Sequence, residues 1–207
     1  MTAARARPTV PLEWGVAMAT LPGQPTSGDA HIICPFAHGV LVGVADGLGH
    51  GAEASAAATR AMETLRAHPA DSVIALIRRC HQALTGTRGA VMSVASFNLV
   101  EHTMSWLSVG NVQGVLRRLD PQAVPRQEAV LSRKGVVGLQ LPLLQASVTT
   151  LAPGDLVLFA TDGVSPGFAD QVVPGRAQTL AERLLSTCNR GTDDALVLVG
   201  CYQDPDR

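Results

Sequence analysis

Val40-Leu41-Val42-Gly43-Val44-Ala45-Asp46-Gly47-Leu48-Gly49-His50-Gly51 runs from an unbroken apolar stretch straight into an aspartate followed by alternating glycines. A run this short and apolar predicts a buried strand from Gly39 to Ala45. Asp46 then stands at the strand's end, where a carboxylate cannot be solvated like a surface acid. Three other places repeat the pattern of an acid beside a glycine or a second acid, next to an apolar run: Ser27-Gly28-Asp29, Thr161-Asp162-Gly163 and Thr192-Asp193-Asp194. Leu156 to Ala160 precedes the third, and Ala195 to Val199 follows the last. If these strands lie side by side, the acids converge. Two carboxylates about 4 Å apart repel by roughly 4 kcal/mol at an effective dielectric near 20. Such a cluster needs shared protons or a divalent cation, and the glycines leave room for an ion and a substrate.

Working outward, Asp29 to Cys34 pairs with Gly39 to Ala45 as a hairpin, with His38-Gly39 near its turn. Trp14 to Thr20 is a candidate first strand, and Leu21 to Gly28 a Pro/Gly turn region. Downstream, Ala52 to Ala67 predicts an alanine-rich helix with Ala54, Ala58, Met62 and Leu65 on one face, stopped by Pro69. Its small residues suggest close packing on a sheet. Asp71 is the candidate cap of a second helix with Val73, Ile74, Ile77 and Leu84 as its stripe.

From Ala90 the pattern turns to β. Ala90 to Val100, Thr103 to Val109 and Val112 to Leu119 alternate and are separated by hairpin-sized spacers. Asp120 to Gln127 reads as a loop, and Ala129 to Ser132, Ala146 to Thr150 and Leu156 to Thr161 as further strands. Pro153-Gly154-Asp155 is a turn, with Asp155 an ordinary turn acid. Gly163 to Gly175 reads as a surface loop beside the site, Ala177 to Thr187 as a helix and Ala195 to Cys201 as the last strand. Short turns between many strands favour an α+β fold with antiparallel sheets and added helices over a doubly wound parallel one. Without repeats or a low-complexity linker, residues 1–207 read as a single domain.

Composition sets the outer limits. The chain has 207 residues, 46% hydrophobic and 16% charged, so a large core can be buried. A net charge of −1 without blocks of like charge argues against nucleic acid or a membrane surface as partner. A substrate phosphate would have to be held by metal rather than by a general positive field. Cys34, Cys80, Cys188 and Cys201 are scattered, which suits a reducing cytoplasm better than a disulfide framework. Cys34 and His38 have ligand-like spacing, but no second pair closes a zinc site. Met1 to Pro8 lacks the apolar segment of a signal peptide, and no apolar run is long enough to span a bilayer.

Aspartate oxygens are hard ligands that suit Mg2+ or Mn2+. Asp46 is the natural centre: it could bridge two cations, with the Gly47 carbonyl as an extra ligand. Asp162 and Asp193 could complete one cation, and Asp29 hold waters on the other. Two ions about 3.5–4 Å apart would acidify a bridging water and clamp phosphate oxygens during in-line attack. Each Asp-Gly pair taken alone is usually a turn, so the weight rests on the set and its order.

That order resembles the metal-dependent type 2C (PPM) serine/threonine phosphatases, and more closely their SpoIIE-like branch. Ser27-Gly28-Asp29, Val42 to Gly51, Val109-Gly110-Asn111-Val112, Gly135-Val136-Val137-Gly138, Leu156 to Val164 and Thr192-Asp193-Asp194-Ala195 carry the likeness over almost the whole chain. The Asp-Gly-Leu-Gly-His-Gly form and the small size look most like the stand-alone RsbX-type phosphatases acting on stressosome proteins. The resemblance implies an α/β/β/α sandwich of two antiparallel sheets, two Mn2+ or Mg2+ ions, and hydrolysis of phosphoserine or phosphothreonine on a regulatory partner of stressosome or anti-sigma-antagonist type. It implies Asp46 as bridging ligand, the Gly47 carbonyl on one ion, Asp162 and Asp193 on the other, and Asp29 acting through water.

Two departures stand out. Leu48 occupies the place of a histidine found in eukaryotic members; His50, two residues later, is either a general acid for the leaving oxygen or simply part of the helix start. No arginine lies near Asp29 in sequence to clamp phosphate, since Arg5 and Arg7 are distant. These departures motivate an alternative, a catalytically weak or silent binding module of the same fold; hydrolysis of a small phosphate ester is a third reading. His31, His81 and His102 read as strand, helix and turn residues, Trp14 and Trp106 as core, and Asn111 as a turn residue with room for a supporting role at the site.

Overall fold

Val40, Val42 and Val44 point one way from their strand and Leu41 and Ala45 the other, and both sets are fully buried. A strand covered on both faces needs no polar alternation, which explains the continuous apolar run before Asp46. The computed structural model describes residues 12–203. Arg5, Arg7 and the Met1 to Pro8 segment lie outside the described residues.

One sheet takes β1 (Leu12–Ala19), β11 (Ala195–Tyr202), β10 (Leu156–Ala160), β6 (Gln113–Arg117) and β7 (Gln127–Ala129), in that order and antiparallel throughout. The other takes β2 (Asp29–Phe36), β3 (Gly39–Gly47), β4 (Ala90–Asn98) and β5 (Thr103–Val109), with β8 (Ser132–Arg133) and β9 (Ser147–Thr150) both on β5. Between the sheets lie Phe97, Trp106, Phe159 and Tyr202 with the β3 valines. Full burial of Phe97 and Phe159 stabilises by about 1.5–3 kcal/mol each. Trp14 meets Phe97 edge-on, ring centroids 5.5 Å apart, so both tryptophans serve packing.

Helices cover the outer faces. α1 (Ala52–Ala67) and α2 (Val73–Ala83) pack on the second sheet, and α3 (Ala177–Cys188) on the first. The result is the expected α/β/β/α order. Ala54, Ala57, Ala58 and Ala61 form the buried face of α1, so its backbone lies close to β3. At Gly43 an added Cβ would come within 2.4 Å of Leu65 Cδ1.

Several expectations need correction. Ser72, not Asp71, caps α2: its hydroxyl accepts from the Ala75 N–H at 3.3 Å, while Asp71 pairs with Arg79 at 2.7 Å. The buried stripe of α2 is Val73, Leu76, Ile77 and Cys80, whereas Ile74 is only half-buried. The expected strand from Ala129 to Ser132 divides into β7 and β8, which belong to different sheets, and β8 runs parallel to β5. Segments of two or three residues carry too little pattern to declare their pairing, which the surrounding packing decides. The expected surface loop from Gly163 to Gly175 contains a 3-10 turn, Phe168–Gln171, that buries Phe168 and Ala169 against α3.

Asp155 is more than a turn acid. It is 1% exposed and accepts from Arg118 Nη1 at 2.8 Å and from the Ala152 N–H at 2.9 Å. Arg118 also donates to Glu128 on β7 at 2.6 Å and to the Thr150 carbonyl on β9 at 2.7 Å. This half-buried guanidinium therefore ties the two sheets together at one end of the sandwich.

Candidate active site

Asp29 opens β2 and Asp46 lies near the end of β3, and the two are direct register partners across the hairpin. Directly opposed residues share a face, with Cβ atoms about 4.5–5.5 Å apart. Counting by twos from Val40, Val42 and Val44 puts Asp46 on the face toward the other sheet. On that other sheet, the same count from Val157 and Phe159 brings Thr161 inward, and from Leu198 and Leu196 it brings Asp194 inward. The cluster therefore forms at the seam where the two sheets meet, at the end opposite Arg118.

Three hydrogen-bonded links hold the seam. The fully buried Thr161 hydroxyl donates to Asp29 Oδ2 at 2.7 Å and accepts from the Leu196 N–H at 2.8 Å. Asp194 accepts from the Leu21 N–H at 2.8 Å and the Gly28 N–H at 2.7 Å, so it latches both ends of the Pro/Gly segment before β2. Asn111, in the turn between β5 and β6, donates to Asp162 Oδ2 at 2.7 Å. Of the acid pair, Asp194 is thus taken up by the fold, whereas among the described residues Asp193 accepts only from the neighbouring Asp194 N–H.

Burial raises the pKa of Asp29 to about 7, against the Thr161 hydrogen bond and with help from the charges of Asp194, Asp162 and Asp193. Burial likewise raises Asp46 to about 8, reinforced first by Asp29 and then by Asp162, Asp193 and Asp194. Asp162 is also raised by burial and by Asp193, opposed by the Arg190 charge and the Asn111 hydrogen bond. The sequence-predicted acids Asp29, Asp46, Asp162 and Asp193 therefore share one electrostatic neighbourhood. Among the described residues, however, no group of three or more His, Cys, Asp or Glu side chains is gathered tightly enough to hold a metal ion by itself. Mg2+ commonly takes one or two carboxylates directly and keeps several waters, so it does not require three side chains in a tight cage.

The donor set fits a hard cation. It is all oxygen, it is short of positive charge, and Asp29 Oδ1 is buried without a hydrogen-bond partner. Gly47 lies so close to α1 that an added Cβ would come within 2.0 Å of the Ala54 carbonyl oxygen. His50 is exposed and immediately precedes Gly51, the residue that caps α1. Hollows of about 700, 540 and 350 Å3 lie elsewhere on the surface, and none is lined by any of the four acids.

Sequence reading missed Thr161, Asp194 and Arg190 as parts of the site. The period-2 count along β10 and β11 was the available signal for the first two. Arg190 had none: it donates to the Asp162 carbonyl at 3.2 Å only because the turn after α3 returns beside β10, where its own N–H also bonds the Gly163 carbonyl at 2.9 Å.

A pH dependence follows. Asp29 and Asp46 bind protons more tightly folded, at about 7 and about 8, than at the ordinary value of 3.8. Between those limits the folded state holds more protons than the unfolded chain, so stability falls as pH rises. In chelator, the melting temperature is expected to drop between about pH 4 and pH 8, and manganese to restore it at the alkaline end. A melting temperature that climbs over this range contradicts the assignment.

Among known structures, a chain from a study of the bacterial stressosome as a modular system adapted to control secondary messenger signaling superposes with a TM-score of 0.83 at 26% identity, covering 91% of this chain and 98% of its own length. RsbX, solved in complex with magnesium, superposes with a TM-score of 0.83 at 22% identity, over 93% of this chain and 96% of that one, which establishes the shared fold. The phosphoserine phosphatase RsbX of Bacillus subtilis (strain 168) is 30% identical over 94 residues, 45% of this chain and 47% of the relative's length. The match thus spans about half of that curated relative. The pattern of the family described as Stage II sporulation protein E (SpoIIE) extends over residues 37–202, and the chain belongs to that family.

Proposed function

We propose that this chain is a metal-dependent protein phosphatase that removes phosphate from serine or threonine of a regulatory partner protein of the stressosome or anti-sigma-antagonist type. The carrying observation is the Asp29–Asp46 register pair at the seam, with a buried, unpartnered Asp29 oxygen among acids that repel one another. Family membership and the stressosome relative support the partner class. The cytoplasm is the proposed compartment, in keeping with four free cysteines; among the described residues no helix is long and apolar enough to cross a membrane.

In this reading Asp46, the Gly47 carbonyl, Asp162 and Asp193 hold two Mn2+ or Mg2+ ions, and Asp29 acts through water. Bound there, the ions supply charge neutralisation, Lewis acidity and a lowered pKa for water. Asn111 orients Asp162 by occupying one of its oxygens. His50, exposed at the start of α1, is the candidate proton donor to the serine leaving oxygen. An acid cluster at the rim, outside the larger hollows, suits a phosphate presented on a protein loop. Incubation with manganese and a phosphorylated partner, with and without chelator, tests the reading; equal rates in both would end it.

Arg190 takes the part of the phosphate clamp that the sequence lacks near Asp29. It is exposed, it spends one guanidinium donor on the Asp162 carbonyl, and its charge already acts on that residue's carboxylate. Arg190→Ala is expected to raise KM for a phosphorylated substrate about 10-fold, the loss of one charge-assisted hydrogen bond, with kcat changed much less. An unchanged KM would remove Arg190 from the substrate site.

A further inference from the structure

Asp29 has two oxygens, and the fold treats them differently. Oδ2 accepts the Thr161 hydroxyl at 2.7 Å, whereas Oδ1 is buried and without a partner in a residue that is 5% exposed. The Thr161 hydroxyl is itself held, because its oxygen accepts the Leu196 N–H at 2.8 Å. That backbone donor belongs to β11 in one sheet, and Asp29 belongs to β2 in the other. A buried hydroxyl places its hydrogen on an available acceptor, and Asp29 Oδ2 is the acceptor within reach. The relay from the Leu196 N–H through Thr161 to Asp29 thus crosses the seam and fixes the rotation of the carboxylate.

We infer that Thr161 is a positioning residue that commits Asp29 Oδ1 to the cation side, and so determines the affinity of the ion that depends on Asp29. This rests on the proposed function and adds to it a residue that touches neither substrate nor ion. Hydrogen-bonded partners outside the directly ligating atoms, such as those that orient a residue holding a metal-bound water, commonly matter by about 10–100-fold in metal affinity. Thr161→Val keeps the shape and removes the hydroxyl. It frees the carboxylate to rotate and leaves the Leu196 N–H without its acceptor.

The experiment is calorimetric titration of the full chain with manganese in the absence of substrate, so that ion binding is read apart from turnover. Thr161→Val is expected to weaken one ion about 10–100-fold and leave the other unchanged, with Thr161→Ser restoring wild-type affinity. In the Asp29→Asn background, Thr161→Val is expected to cause no further loss, because the hydroxyl acts through Asp29. Thr161→Cys, with a weaker donor of similar volume, replaces the valine variant if that one does not fold. Retention of both ions by the valine variant, equal loss in the serine variant, or additive losses with Asp29→Asn would each overturn the inference while leaving the proposed function standing. A wild-type chain that binds two manganese ions but cleaves no phosphoprotein would sink the function and spare the inference. One that binds no manganese would sink both.

Discussion

Asp46→Asn is expected to abolish phosphate hydrolysis while raising the melting temperature of the cation-free protein above pH 8. The two effects have opposite signs because one side chain serves two ends. Asp46 is the acid proposed to bridge the ions, and an amide in its place removes the bridging charge. A loss on the order of 10^3-fold in kcat corresponds to about 4 kcal/mol of transition-state stabilisation. The same carboxyl is pushed up to about 8 by burial and by Asp29, Asp162, Asp193 and Asp194, so its ionised form opposes folding. Removing it relieves that opposition, and for a chain of this size each kcal/mol moves the melting temperature by about 2–4 °C. Kinetics with manganese and thermal melts in chelator check both halves. Near-normal turnover, or a lowered alkaline melting temperature in a folded variant, would remove Asp46 from the centre of the site.

Gly47→Ala is expected to be strongly destabilising for a change of a single methyl group. An added Cβ would lie 2.0 Å from the Ala54 carbonyl oxygen and 2.6 Å from its carbonyl carbon, both in the backbone of α1. A flexible side chain could swing aside, but a helix backbone must move as a unit. That movement opens the contact made by Ala54, Ala57, Ala58 and Ala61. Overpacking of this kind costs about 1–3 kcal/mol and sometimes more, or roughly 2–12 °C in melting temperature. Gly175→Ala is the matched control, since an added Cβ there meets nothing within 4 Å. Comparable melting temperatures for the two variants would show that α1 does not press on β3 as described.

Much of this was legible in the chain. The hairpin of β2 and β3 and the bounds of α1 could be read because their signals are local: an apolar run, a turn, alanines at helical spacing and Pro69 beyond. The four acids could be singled out because each sits where an apolar run starts or stops. What could not be read depends on contacts between segments far apart in sequence. Thr161 reaches Asp29 across 132 positions, and Asp194 reaches Gly28 across 166. The roles of Asp155 and Arg118 were hidden for the same reason, since a turn acid becomes a buried ion partner only when β6, β7 and β9 meet around it. Ser72 and Asp71 are both good caps, and only the backbone geometry separates them.

The guanidinium of Arg118 and the acid seam stand at opposite ends of one sandwich, and they divide its cohesion unequally. One end is fastened by opposite charges that attract, and the other is strained by like charges that repel. As those acids ionise above neutral pH, the protein is weakened at the end where its chemistry is proposed to happen, and a captured cation would act there as a rivet, making readiness for work and mechanical soundness the same condition.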